Sequence, residues 1–145
     1  SALLAQLEVG KVMTKKVITV EETTLIEDAA HIMADHDIGG LPIMRGDVLV
    51  GIVTESDIFK LFIELFGTRK KGLRVTAVVP EEKGGLARLT NAISERGGNV
   101  ISLGTFPGED LTSGLLLLKV DDISKEKLIE ALTPFVKEIS DLREV

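Results

Sequence analysis

The chain has no cysteine, no tryptophan and no tyrosine. Without cysteine there is no disulfide framework, no thiol nucleophile and no thiolate metal site. That absence fits a reducing compartment, and a cytoplasmic location is expected. Aromatic residues make up 3% of the 145 positions, all of them phenylalanine. The core must therefore be aliphatic, which favours regular packing of helices on sheets. Apolar runs long enough to cross a bilayer are missing too, so no membrane association is expected. The opening "SALLAQLEVG" has no basic n-region and no cleavage-site pattern, so it does not read as a signal peptide. Basic charge is scarce: 17 Lys and Arg stand against 23 Asp and Glu, net −6. A nucleic-acid partner, which needs a basic face, is not expected.

Histidine is nearly absent. His31 and His36 are five positions apart, so they do not share a helix face, and Asp35 and Asp37 beside them read as solvated acids. No metal site is expected. The serines fall at caps and turns, with no nucleophile–His–acid arrangement. Glu81, Glu82, Asp121 and Asp122 flank elements and read as solvated. "RGD" at Arg45–Asp47 is a turn. Nothing forms a catalytic acid–base pair, and an enzyme is not expected.

What is present is pattern. Leucines 3, 4 and 7 predict a short helix over Ala2 to Glu8. "VITV" (Val17 to Val20) reads as a strand. A helix follows, capped by Thr23 or Thr24, with a stripe of Leu25, Ala29, Ile32 and Met33, and stopped by Gly39-Gly40. "LPIM" and "VLVGIVT" form a hairpin about the RGD turn. "ESDIFKLFIELFG" is a helix with Ile58, Leu61, Phe62 and Leu65 on one face, ended by Gly67. "TRKKG" (Thr68 to Gly72) is basic and reads as a linker. Residues 1–67 carry 5 bases and 11 acids, net −6; residues 73–145 carry 9 and 12, net −3. Beyond the linker the order is strand (73–79), helix (85–96), strand (100–106), strand (113–120), helix (124–132), strand (136–142). This β-α-β-β-α-β order is the split-βαβ, ferredoxin-like one, an antiparallel sheet with both helices on one face. The fold class is α+β, with one module over 1–67 and another over 73–145.

The most informative stretch is "GIVTESDIFKLF" (Gly51 to Phe62), where an apolar strand turns into a helix. Thr54 followed three residues later by Asp57 is the spacing of a capping box. The same joint has free N–H groups and a positive dipole end that stabilise an anion, and a carboxylate one turn in can accept the paired hydroxyls of a ribose. The four polar residues alone do not distinguish cap from site.

"VMTKKVITV", "AAHIMADHDIGGLPIM" and "VLVGIVTESDIF", in this order and spacing, resemble one repeat of a CBS domain, covering residues about 11 to 66. The resemblance implies a ligand-sensing regulatory role with an adenosine compound as effector: AMP, ATP or S-adenosylmethionine. It places phosphate or ribose contacts at Thr54 and Asp57, the purine between Val17, Ile18, Gly40, Leu41 and Pro42, and Lys16 near the phosphate, with Lys15 beside it. CBS repeats work in pairs, and one is present. The opening "LLAQLEVGKVMT" resembles the connection out of a first repeat, so either a first repeat precedes Ser1 in the intact protein or two chains pair. A homodimer is expected.

"RVTAVVPEEKGGLARLTNAISERGGNVISLGTF" resembles the start of an ACT domain, covering residues 73 to 145. That resemblance implies dimerisation, or a second small-molecule effector such as an amino acid at Gly84, Gly85, Leu86 and Asn99. Here Gly84 stands where the family's loop has proline. The two modules together resemble acetoin-utilisation-type CBS–ACT regulators, lacking their first CBS repeat. In this regulatory reading the partner is an unknown regulated protein; the alternative is a dimerisation or interaction module that binds no ligand.

Overall fold

The computed structural model describes residues 17–145. The helix expected over Ala2 to Glu8, together with Lys15 and Lys16, lies outside the described residues. The chain divides into two compact units, Ser1–Lys60 and Leu61–Val145. Among the described residues, two sheets and four α-helices make a mixed α+β fold.

In the first unit, β1 (Val20–Glu21), β2 (Gly40–Arg45) and β3 (Val48–Thr54) form a sheet in that order, with β1 parallel and β3 antiparallel to β2. β1 is shorter than the strand expected over Val17 to Val20. Only Val20 and Glu21 find ladder partners, Ile43 and Met44. Gly46, at φ +58°, makes the two-residue turn between β2 and β3. Helix α1 (Ile26–Asp35) buries Ala29 and Met33 on Val20, Leu41 and Val53, with Ile32 and Ile58 partly buried beside them.

Both ends of α1 correct the sequence reading. Its N-cap is Leu25, which offers no side-chain oxygen and is itself exposed. The Thr24 hydroxyl instead accepts from the Glu21 N–H at 3.2 Å, closing the turn ahead of the helix. The helix stops before Gly39. Asp37 takes a left-handed conformation (φ +50°), and the N–H groups of Asp37 and Ile38 donate to Ala34 and Met33 carbonyls. This is a Schellman termination, normally built on glycine. Helix α2 (Glu55–Leu65) ends the same way at Gly67, as the sequence indicates.

In the second unit, β4 (Leu73–Pro80), α3 (Gly85–Glu95), β5 (Asn99–Pro107), β6 (Ser113–Asp121), α4 (Lys125–Leu132), a 3-10 turn (Thr133–Phe135) and β7 (Glu138–Glu144) follow the β-α-β-β-α-β order read from the sequence. The sheet runs β5-β6-β4-β7, every neighbouring pair antiparallel. Alternate residues of β4 (Leu73, Val75, Ala77) and β6 (Leu116, Leu118, Val120) enter one core with Leu89, Ala92 and Ile93 of α3 and Leu128, Ala131 and Leu132 of α4. One face of the sheet thus takes both helices.

The other face carries a buried charge. Lys119 is 4% exposed, and its ammonium donates to the Gly67 carbonyl at 2.8 Å. The Ser102 hydroxyl donates to the Phe66 carbonyl, and the Phe66 ring stacks on Phe106 at 6.5 Å between centroids. These contacts place the end of α2 with the second unit, so the boundary falls inside the helix, ahead of the basic linker. An ammonium bonded to a carbonyl just past a helix's C-terminal end also complements its dipole.

Candidate functional site

The joint between β3 and α2 is positioned by strand register. Gly40 pairs with Thr54, Leu41 with Val53 and Pro42 with Ile52. The Glu55 N–H donates to the Gly39 carbonyl at 3.1 Å, tying the first helical residue to the start of β2. Of the expected β2 residues, Gly40 therefore lies directly across from Thr54, and Leu41 and Pro42 lie across from the two residues before it.

At the joint a capping box is closed. Asp57 Oδ2 accepts from the Thr54 backbone N–H at 2.8 Å and from the Thr54 hydroxyl at 3.0 Å; the Asp57 N–H donates to Thr54 Oγ1 at 3.4 Å. The Thr54 N–H, then its hydroxyl, and more weakly Lys60, hold the Asp57 carboxyl below its usual range. The carboxylate is exposed, and only Oδ2 is used. Oδ1 has no hydrogen-bond partner among the described residues.

The remaining expected residues divide by what they can offer. Leu41 is fully buried, so only its backbone can meet a ligand. Pro42 is half-buried. Ile18 is half-buried against the core, and Val17 is exposed. Lys16 lies outside the described residues. The structure adds Ile52, 62% exposed and paired with Pro42 on the face turned away from Leu41 and Val53. Strand alternation carried this signal, since Ile52 stands two residues before Thr54. Together these groups present an apolar edge, a free carboxylate oxygen and a helix start. A planar base, a diol and an anion are the matching chemistries.

In the second unit, Gly84 caps α3 in a left-handed conformation (φ +76°) with no side-chain cap. Arg88 turns back to Glu82 at 2.9 Å and to the Lys83 carbonyl at 3.4 Å. Gly85 and Leu86 line a cavity of 610 Å³. Asn99 is not part of it. It opens β5 beyond the C-terminal end of α3, a helix of 11 residues, or about 16 Å at 1.5 Å per residue. Its amide donates to Asp121 at 2.9 Å. The structure thus brings Gly84, Gly85 and Leu86 together and sets Asn99 apart. Among the described residues, no group of three or more His, Asp or Glu is placed to hold a metal ion. None of the described helices is long and apolar enough to cross a membrane.

Comparison with known proteins gives a match to the CBS domain family model over residues 9–64. An uncharacterized protein of Methanocaldococcus jannaschii, MJ0653, is 40% identical over 78 residues, 54% of this chain and 39% of that protein. The CBS domain-containing protein YhcV of Bacillus subtilis is 39% identical over 46 residues, 32% of this chain and 33% of its own length. The inosine-5'-monophosphate dehydrogenase of Korarchaeum cryptofilum is 44% identical over 45 residues, 31% of this chain and 10% of the enzyme. The chain spans well under half the length of each of these relatives.

Proposed function

We propose, from the premise that residues 9–64 are a CBS domain, that this chain is a ligand-sensing regulatory protein taking an adenosine compound at the Thr54 joint. The observation that carries the reading is the exposed Asp57 carboxylate, with Oδ1 unpartnered, in the first turn of α2, directly after a strand whose pairing with β2 sets Pro42 and Ile52 side by side on one outer face. Asp57 Oδ1 accepts a ribose hydroxyl. Thr54 and the α2 start meet phosphate, and Lys16 adds charge for ATP or AMP. Val17, Ile18, Gly40, Leu41 and Pro42 frame the base, with S-adenosylmethionine as the alternative effector of the same class. Residues 73–145 serve as an ACT-type module, for dimerisation or a second effector, as in acetoin-utilisation-type regulators. Val48, Leu49 and Ile52 on β3 are exposed, which supports a homodimer, since covering apolar surface is favourable. The ligand's output is a changed arrangement of the assembly, which requires unequal affinity for two arrangements.

A second reading, an interaction module that binds no ligand, is favoured by one fact. The capping box is complete within the chain itself. A thermal-shift panel of AMP, ADP, ATP, S-adenosylmethionine, NAD and amino acids separates the two. A bound adenosine compound at a hundred times its Kd raises stability by about 2.7 kcal/mol. A melting curve unmoved by every adenosine compound leaves the interaction module.

A further inference from the structure

The 610 Å³ cavity of the second unit has a character the CBS reading does not use. Its size is that of a small-molecule site. The walls are apolar, from Val79, Leu86, Leu89, Phe106 and Phe135. Its charged lining is all of one sign: Glu81, Glu82, Glu109 and Asp110, with no lysine or arginine. Two of the four are already engaged. Glu82 is paired with Arg88 at 2.9 Å. Asp110 accepts from the Thr112 N–H and hydroxyl at 2.8 and 2.7 Å, and Lys137 adds an attraction nearby. Arg88 is thereby committed, and the Lys137 ammonium is bonded to Thr112 and Ser113 oxygens. The carboxylates of Glu81 and Glu109 have no hydrogen-bond or ion-pair partner among the described residues. Glu81 is nonetheless fixed in place. Its N–H donates to the Thr112 carbonyl at 2.9 Å, and its carboxylate lies over Gly114, where an added Cβ would stand 3.1 Å from Oε2.

An apolar cavity with two uncompensated carboxylates at its rim is complementary to an apolar body carrying a positive charge. We propose that this cavity binds a small organic cation, an alkyl- or arylammonium compound without a carboxylate of its own. A free amino acid fits less well, because its carboxylate would meet the same acids. Leu86 and Phe106 hold the apolar body, and Glu81 and Glu109 take the ammonium by charge-assisted hydrogen bonds. Leu111 is 98% exposed at the tip of the β5–β6 loop and is the side chain free to fold over the occupant.

The test is an amide-resolved NMR titration of the full chain with hexylammonium, hexanol and hexanoate, three probes of matched length. Hexylammonium saturably shifts the amides of Gly85, Gly108 and Gly114, and hexanoate leaves them in place. The double variant Glu81→Gln/Glu109→Gln, which removes two exposed, unpaired charges, weakens hexylammonium about tenfold, the order expected when hydrogen bonds to a charged group are lost. Hexanol or hexanoate binding as tightly as the amine, no saturable shift at these glycines, or undiminished binding in the double variant overturns the proposal. None of these outcomes depends on whether the Thr54 joint binds a nucleotide.

Discussion

Asp57 uses one carboxylate oxygen within the chain: Oδ2 completes the cap of α2, and Oδ1, without a hydrogen-bond partner among the described residues, is the oxygen the proposed ligand would use. Because Thr54 holds the Asp57 carboxyl below its usual range, its stabilisation is fully present above the unfolded-state value, about pH 4. That stabilisation is lost as pH falls through the lower folded-state value. Urea unfolding of Asp57→Asn beside the wild type should show a stability gap that is full at neutral pH and shrinks in acid. A gap that does not change with pH would mean the cap is not charge-assisted. Thr54→Ala removes the N-cap hydroxyl and should lower stability by about 1 kcal/mol, read by the same unfolding experiment. The sequence showed this box by spacing alone. It could not show that the box leaves one oxygen free, because that depends on which way the carboxylate turns.

Helix ends are where local sequence succeeded and failed most visibly. Gly67 and Gly97 adopt φ +60° and +84° and close the same Schellman pattern, as glycines following an apolar stripe predict. In α1 the same position falls to Asp37, and the two glycines further on, which looked like the stop, serve the start of β2 instead. Aspartate tolerates this conformation better than most side chains, but it gives a weaker signal in sequence. An added Cβ at Gly97 meets no atom within 4 Å. Gly97→Ala therefore isolates the backbone strain and should cost about 1 kcal/mol in chemical denaturation. Asp37→Gly should be neutral to slightly stabilising, since it removes that strain. The Leu25 N-cap was illegible for a related reason. The Thr24 hydroxyl was a good candidate, and a turn N–H took it first.

For the whole molecule, strand and helix order in both units was legible because the apolar periods switch cleanly between two and 3.6. The second unit matches the expected order element by element, and its core is the alternation of β4 and β6 under two helix stripes. Leu128 is fully buried there, so Leu128→Ala should destabilise the unit by about 2–5 kcal/mol in urea unfolding. The cavity beside α3 was not legible. Glu81 and Glu109 are 28 positions apart in sequence and line one cavity only because the β5–β6 turn returns to the end of β4. The Thr54 joint was half legible. Its motif is contiguous, but Pro42 and Ile52 become neighbours through hairpin register. The most direct test of the central reading is isothermal titration of AMP, ATP and S-adenosylmethionine into the wild-type chain and into Asp57→Ala. The account predicts saturable heat with at least one of these adenosine compounds in the wild type and its loss in the variant. Equal binding by both proteins, or none by the wild type, would contradict it.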